Sequence, residues 1–254
     1  MKLTTNVLLA LVVLTCALAA SGSAATNPLN VDKVLPGFEV MGTASVGLIS
    51  VVDPSTLNCT QTTTFDDIAG GAAPGTSYDV VLPSVGVFFG ELFAGQTLSY
   101  NGDFDVVTGS PSSPLTPLAG AAGQNLNVFD YSTNVLNGLG PLGFPNFNAI
   151  GEGSVAIYFS APQSEISFSL VGGDNGSATL SFYRADGTLI DTVVLPGLSN
   201  QAYGFVRTGG LQDISGVLIQ NDDPAGIGLD DVCHDVPVVP TQTTTWGQVK
   251  STYR

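Results

Sequence analysis

Basic residues are scarce: six Lys and Arg face 21 Asp and Glu across 254 residues, for a net charge of −15. Nucleic acid and anionic lipid are therefore poor partners, because their phosphates would meet repulsion instead of counter-charge. Histidine is scarcer still, with His234 alone. One imidazole and the two thiols left outside the N-terminal segment are too few donors for a zinc site. His234 follows Cys233, but neighbours on a strand point to opposite faces, which excludes a nucleophilic pair made of these two. A turn or strand edge is the expected setting of the histidine. The Gly turns at 151–153 and 209–210 lack the following Lys or helix of a phosphate cradle. No tandem repeat of fixed period is evident. Charged residues make up only 11% of the chain, whereas Gly at 31 and Pro at 15 suit an all-β protein rich in turns.

The N-terminal 25 residues stand apart. Lys2 precedes the apolar run VLLALVVLTCALAA (7–20), and the small residues SGSAA follow. A short basic start, a hydrophobic stretch and Ala at the minus-one position describe a secretory signal peptide over residues 1–25, with cleavage expected after Ala24 or Ala25. The run is short for a bilayer span, which takes about 20 apolar residues. Thr15 before Cys16 is not the small residue that precedes a lipidated cysteine. The mature chain is thus expected to be secreted, extracellular or at the cell surface, with no integral membrane segment. Its length of about 230 residues fits one β-sandwich with extensions.

Cys59 and Cys233 are the cysteines that remain, and an exported chain offers them an oxidising compartment. Their disulfide would close a loop of about 175 residues and stabilise the fold by roughly 5 kcal/mol on the chain-entropy model.

What the chain has in abundance is two-residue alternation. SVAIYFS, EISFSLV, ATLSFYR, TLIDTVVL, AYGFVRT and ISGVLIQ follow one another between Ser154 and Gln220, and the series closes on NDDPAGIGLDDV (221–232). Apolar side chains at every second position, with Gly, Pro, Asn or Asp about every ten residues, predict an all-β, antiparallel β-sandwich. Upstream, the stretch from Phe38, then SYDVVLPSVGVFFGELF and QTLSYNGDFDVV, reads as further strands, with tight turns at Asn101-Gly102 and Asp186-Gly187. One domain over 38–235 follows, preceded by a leader (26–37) without period. Residues 108–151 are rich in Pro, Ser and Gly or lack steady alternation, and read as an irregular insertion, the natural place for a binding surface. Residues 236–254 form a Pro/Thr linker and a short tail, WGQVKSTYR, in which Trp246, Val249 and Tyr253 align on one helical face. The tail is expected to be a peptide that something else recognises.

Two carboxylate pairs lie far apart in sequence: Asp66-Asp67 after Phe65, and Asp230-Asp231 in the last strand. If the first and last strands are neighbours, these four meet at one sheet edge, where hard oxygen ligands suit Ca²⁺. The same antiparallel neighbours bring Cys59 towards Cys233.

The run GSVAIYFSAPQSEISFSLVGGD, ATLSFYRADGTLIDTVVL and ISGVLIQNDDPAGIGLDDV resembles the jelly-roll domains of PEP-CTERM and related anchor-bearing bacterial surface proteins. The resemblance covers about 80 residues, or about 170 with the FDDI start at 65–68. It rests on Phe65, Asp66, Asp67, Asp222, Asp223, Gly226, Gly228, Asp230 and Asp231. It implies a galactose-binding-like or carbohydrate-module-like jelly roll displayed outside the cell. The chain departs from that pattern at its end, where TTTWGQVKSTYR replaces a Pro-Glu-Pro motif, hydrophobic span and basic cluster. Anchoring by that route is not expected.

The function expected is non-catalytic: adhesion or glycan binding, with a structural calcium ion, and an extracellular glycan or cell-envelope component as partner. The alternative is a purely structural exported protein attached through its tail. A glycoside or ester hydrolase is the third reading, for which Glu91, Glu152 and Glu165 are available but no spacing singles out two of them. Sugar rings stack on aromatic faces, and Tyr131, Phe144 and Phe147 in the irregular segment are the candidate ligand-binding residues.

Overall fold

Alternation becomes strand wherever one face of a sheet is dry and the other wet. The computed structural model describes residues 47–237. The expected signal peptide, the leader, the stretch 38–46 and the tail with Trp246, Val249 and Tyr253 lie outside the described residues. The first strands are β1 (Ile49–Val52), β2 (Gln61–Thr63), β3 (Thr76–Tyr78), β4 (Leu82–Ser84), β5 (Val87–Gly90) and β6 (Leu92–Phe93). Next come β7 (Thr97–Asn101), β8 (Phe104–Thr108), β9 (Pro117–Leu118), β10 (Leu126–Asp130) and β11 (Asn134–Gly138). The alternating ladder forms β12 (Val155–Gln163), β13 (Glu165–Gly172), β14 (Ser177–Tyr183), β15 (Leu189–Pro196), β16 (Gln201–Arg207) and β17 (Ile214–Asn221), and β18 (Ile227–His234) ends it. No helix among the described residues is long and apolar enough to cross a membrane.

All pairings are antiparallel. The large sheet runs β1-β16-β13-β18-β11-β10-β3, with β2 also on β18, and the small sheet runs β15-β14-β17-β12-β5-β4. Phe205 of the large sheet packs on its neighbour Phe168 at 5.1 Å between ring centroids and, across the interior, on Phe182 of the small sheet at 5.4 Å. Ile166, Leu170 and Leu229 join Ile157, Leu180, Val217 and Ile219 in the same buried cluster. Two antiparallel sheets facing each other across one apolar core make a β-sandwich.

A second apolar cluster covers the outer side of the small sheet, where Leu92, Phe93, Val107 and Leu115 pack on Ala156, Tyr183 and Leu218. At Gly216 a Cβ would come within 2.7 Å of both Leu115 and Phe93, so only glycine lets this cover lie flat on β17. Burial on both faces explains why ISGVLIQ is close to a continuous apolar run.

The segment 108–151 differs from the expected irregular insertion. Its first part supplies the cover over the small sheet, and β10 and β11 within it are members of the large sheet. Its alternation is weak because Val135, Leu136, Asn137 and Gly138 are buried in succession, so both faces of β11 are partly covered and no polar face is needed. The tight hairpin turns are both present, a two-residue loop at 102–103 and a three-residue loop at 185–187, with Gly102 and Gly187 at positive φ.

The first strand, β1, lies at the sheet edge on β16, and it is the second strand, β2, that meets the last. Antiparallel pairing sets Thr62 opposite Cys233, and Cys59 is bonded to Cys233 with a Cα–Cα separation of 5.7 Å across 174 residues.

Candidate functional site

The large sheet turns Leu126, Val128, Leu136 and Leu229 inward to the core. Strand alternation therefore puts Phe129, Val135, Asn137, Gly228 and Val171 on its outer face, and these residues line a cavity of about 570 Å³. A second hollow of about 330 Å³ shares Tyr131, Val135, Val171 and Asn200 with it, so the two form one groove. Gly228 is its floor: a Cβ there would collide with the side chains of Val135 and Asn137.

Loops at the strand ends make the walls, and buried Asp223 holds two of them in place. Its carboxylate accepts hydrogen bonds from the backbone N–H of Asp174 at 2.8 Å, Gly176 at 2.7 Å and Ala225 at 2.9 Å. Asp222 accepts from Ser177 N–H and Oγ at 2.7 and 2.9 Å. Gly172, Gly173, Ala225 and Gly226, which these bonds position, line the groove. The NDDPAG stretch is thus groove architecture, with its carboxylates turned to backbone donors.

Tyr131 stands at the junction of the two hollows, 56% exposed, with its ring edge-on to Phe129 at a centroid distance of 6.0 Å. Amide and hydroxyl groups of Asn137, Ser169, Ser199, Asn200 and Gln201 accompany it. Asn137 Nδ2 donates to Val135 O at 3.0 Å. In a chain so acidic, no Asp, Glu, Lys or Arg lines either hollow.

Phe144 and Phe147, proposed alongside Tyr131, do not line the groove. Phe144 is half-buried and its N–H donates to Gly123 O at 2.7 Å, while Phe147 is 62% exposed at the start of a short 3-10 turn. Only Ile150, at the end of this loop, reaches the groove wall.

The four aspartates fall at one end of the β2–β18 seam but in different settings. Asp230 is buried, and its carboxylate accepts from Thr133 Oγ1 and Asp231 N–H, both at 2.8 Å. Burial, opposed by these two bonds and aided by the charges of Asp231 and Asp66, pushes its carboxyl above the usual range. Asp66 accepts from Asn134 N–H at 3.2 Å, and Asp67 and Asp231 are exposed, Asp231 with φ of 51°. Among the described residues no group of three or more His, Cys, Asp or Glu is arranged to hold a metal. Calcium takes about six to eight oxygens, so an ion held by Asp66 and Asp230 would draw most of its coordination from water.

His234 is fully buried against Phe159, with ring centroids 5.7 Å apart, and not at a turn or exposed edge as expected. Burial lowers its pKa and favours the neutral ring, with its Nδ1 3.2 Å from Asp235 O. Cys233 is in the disulfide, so no free thiol neighbours it.

Sequence reasoning missed a second polar feature, on the far side of the molecule's small sheet. Glu91, between β5 and β6, and Asp105, on β8, are both buried, with carboxyls in hydrogen-bonding reach of each other. Ser154 N–H donates to Asp105 Oδ2 at 2.9 Å, and Ser154 Oγ donates to Glu91 O at 2.8 Å. Burial first, and then Asp105, raises the Glu91 pKa; burial also raises that of Asp105, against the Ser154 bond. Nearby Glu152 is pushed up to about 7 by burial and then by the charges of Asp103 and Asp223. Glu165 is elsewhere, accepting from Asn58 N–H at 2.8 Å.

Comparison with protein-family models, with curated proteins and with solved structures gives no match.

Proposed function

We propose that this chain is a secreted or cell-surface, non-catalytic β-sandwich module that binds glycans through the groove around Tyr131. The observation that carries the reading is the combination of one exposed aromatic ring, a partly apolar floor and a rim of neutral amides and hydroxyls. Sugars offer an apolar ring face for stacking and hydroxyls that both donate and accept hydrogen bonds, which is the complement of such a surface. Because the lining is uncharged, the ligand class is neutral polysaccharide or neutral oligosaccharide; uronic acids and sulfated glycans would leave a charge without a partner. The jelly-roll type, implied by the resemblance to anchor-bearing surface proteins, belongs to this same reading.

A hydrolase would need two carboxyl groups flanking the bound sugar, and none lines the groove. Binding of the mature chain to a panel of neutral and acidic glycans tests the proposal. Retention of neutral glycans that is lost in Tyr131→Ala is expected; binding confined to acidic glycans, or unaffected by Tyr131→Ala, overturns it. Calcium at Asp66 and Asp230 is an accessory to this proposal, tested by melting with and without chelator: equal melting temperatures remove it, since a ion bound to the native state must raise stability.

A further inference from the structure

We propose that Glu91 and Asp105 share a single proton in the native protein and form a latch that fastens the β7–β8 hairpin to the sandwich and opens when that proton is lost.

Glu91 is 0% exposed and Asp105 3%. Written as two carboxylates, Glu91 Oε1, Glu91 Oε2 and Asp105 Oδ1 are all buried without a hydrogen-bond partner. The fourth oxygen, Asp105 Oδ2, accepts from Ser154 N–H. One proton on Glu91, donated towards Asp105, turns two adjacent like charges into an acid–carboxylate hydrogen bond, the stronger charge-assisted kind. The backbone donor on Asp105 marks it as the ionised member.

Among the described residues no cation is available to do the same work. Arg184 and Arg207 are the only Lys or Arg among the described residues, and both are bound to Asp213. The groups facing the pair are Tyr100, whose phenol pKa burial and then the charges of Asp105 and Glu91 raise, and, on adjoining elements, Glu152, whose backbone O takes the Asp105 N–H and whose carboxyl lies near Asp103 and Asp223, and Asp222, which lines a hollow with Asp105. All are neutral or negative, so each disfavours a second charge. A metal ion in place of the proton would need room at the Glu91 carboxyl, but that carboxyl lies hard against Gly120, where a Cβ would overlap it.

The pair sits where the hairpin docks. Asp105 belongs to β8; its N–H donates to Glu152 O at 3.2 Å, and Val107 N–H donates to Gln220 Oε1 on β17 at 2.6 Å. Loss of the shared proton to solvent leaves two buried carboxylates in contact, and moving β8 outward is the direct way to hydrate them. The hairpin is a two-strand ribbon joined to neither main sheet by a ladder, so it can move without dismantling the core between the sheets, though Val107 would leave the outer apolar cluster.

Two measurements on the mature chain test the latch. Infrared difference spectra of wild type against Glu91→Gln at neutral pH should contain the carbonyl stretch of a protonated carboxylic acid, present in wild type only. Amide exchange in 104–108, corrected for its intrinsic pH dependence, should accelerate by about tenfold per pH unit once the pair titrates in wild type. It should stay flat in Glu91→Gln, whose amide still donates to Asp105 but cannot ionise. Absence of the infrared band, or equal alkaline loosening in both proteins, overturns the proposal. So does a rise in melting temperature on adding Ca²⁺ that Glu91→Gln abolishes, which would make the pair a cation site.

Discussion

Cys59 and Cys233 are bonded across 174 residues at the seam where β2 lies on β18. Because the crosslink spans nearly the whole sandwich, it restricts the unfolded chain far more than the folded one. Cys59→Ala with Cys233→Ala is expected to lower stability by about 5 kcal/mol on the chain-entropy model. Denaturant melts of oxidised, reduced and doubly substituted protein check this; reduction and double substitution should give the same loss.

Arg207 is buried and donates from Nε to Asp213 Oδ1 at 2.8 Å, while Arg184 Nε reaches Asp213 Oδ2 at 3.0 Å. Burial alone would raise the Asp213 pKa, but the bonds and charges of Arg207 and Arg184 outweigh it, and the carboxyl is held below its usual range. Removing the carboxylate strands a buried guanidinium. Asp213→Ala is expected to cost about 3 kcal/mol, measured by thermal or urea unfolding. Arg184→Ala should cost much less, since its side chain is 35% exposed.

The sandwich was legible because most of its ladder strands meet a dry core on one side, which writes period two into the sequence, whereas β17 is covered on both faces. The pairing of Cys59 with Cys233 was legible because they are the two cysteines outside the N-terminal segment, and the strands beside them, β2 and β18, are antiparallel neighbours. β10 and β11 were not, because Leu136 and Asn137 are buried on opposite faces of one strand and alternation vanishes there. Glu91 and Asp105 were hidden more deeply. In sequence Glu91 is only one available carboxylate among several and Asp105 carries no signal, and what buries Glu91 is Gly120, 29 positions away, packed against its carboxyl. Tyr131, Phe144 and Phe147 were selected alike by type and setting, and of the three only Tyr131 lines the groove. Side-chain direction in an irregular loop is fixed by tertiary contacts, not by a period that sequence can display.

Stability should fall as pH rises through neutrality. A carboxyl whose pKa is raised on folding keeps its proton in the native chain after the unfolded chain has released it. The native state then holds more protons, and stability is full below the unfolded value and declines as pH passes the folded one. Glu152, moved from 4.5 to about 7, places one such decline between those values, and the raised Glu91 and Asp105 act in the same direction. Asp213 has the opposite sign, its contribution being lost only in acid. Melting temperature measured from about pH 5 to about pH 8 should drop steadily in wild type and less steeply in Glu152→Gln.

Affinity for a neutral glycan should depend on Tyr131 and not on Phe147, although both rings are exposed. Tyr131 lies where both hollows meet, so a sugar seated in either touches it, while Phe147 touches neither. Truncating a central aromatic contact costs 1 kcal/mol or more in typical binding sites, which is about tenfold or more in Kd. Titration calorimetry with a neutral oligosaccharide should therefore give that loss for Tyr131→Ala and an unchanged Kd for Phe147→Ala. Gln201→Ala offers a separate check on the polar side of the groove: it removes an exposed amide that a sugar hydroxyl would bond, so it should weaken neutral glycans without altering their rank order. If Phe147→Ala weakens binding as strongly as Tyr131→Ala, the ligand lies over the 144–150 loop and the groove is not its seat.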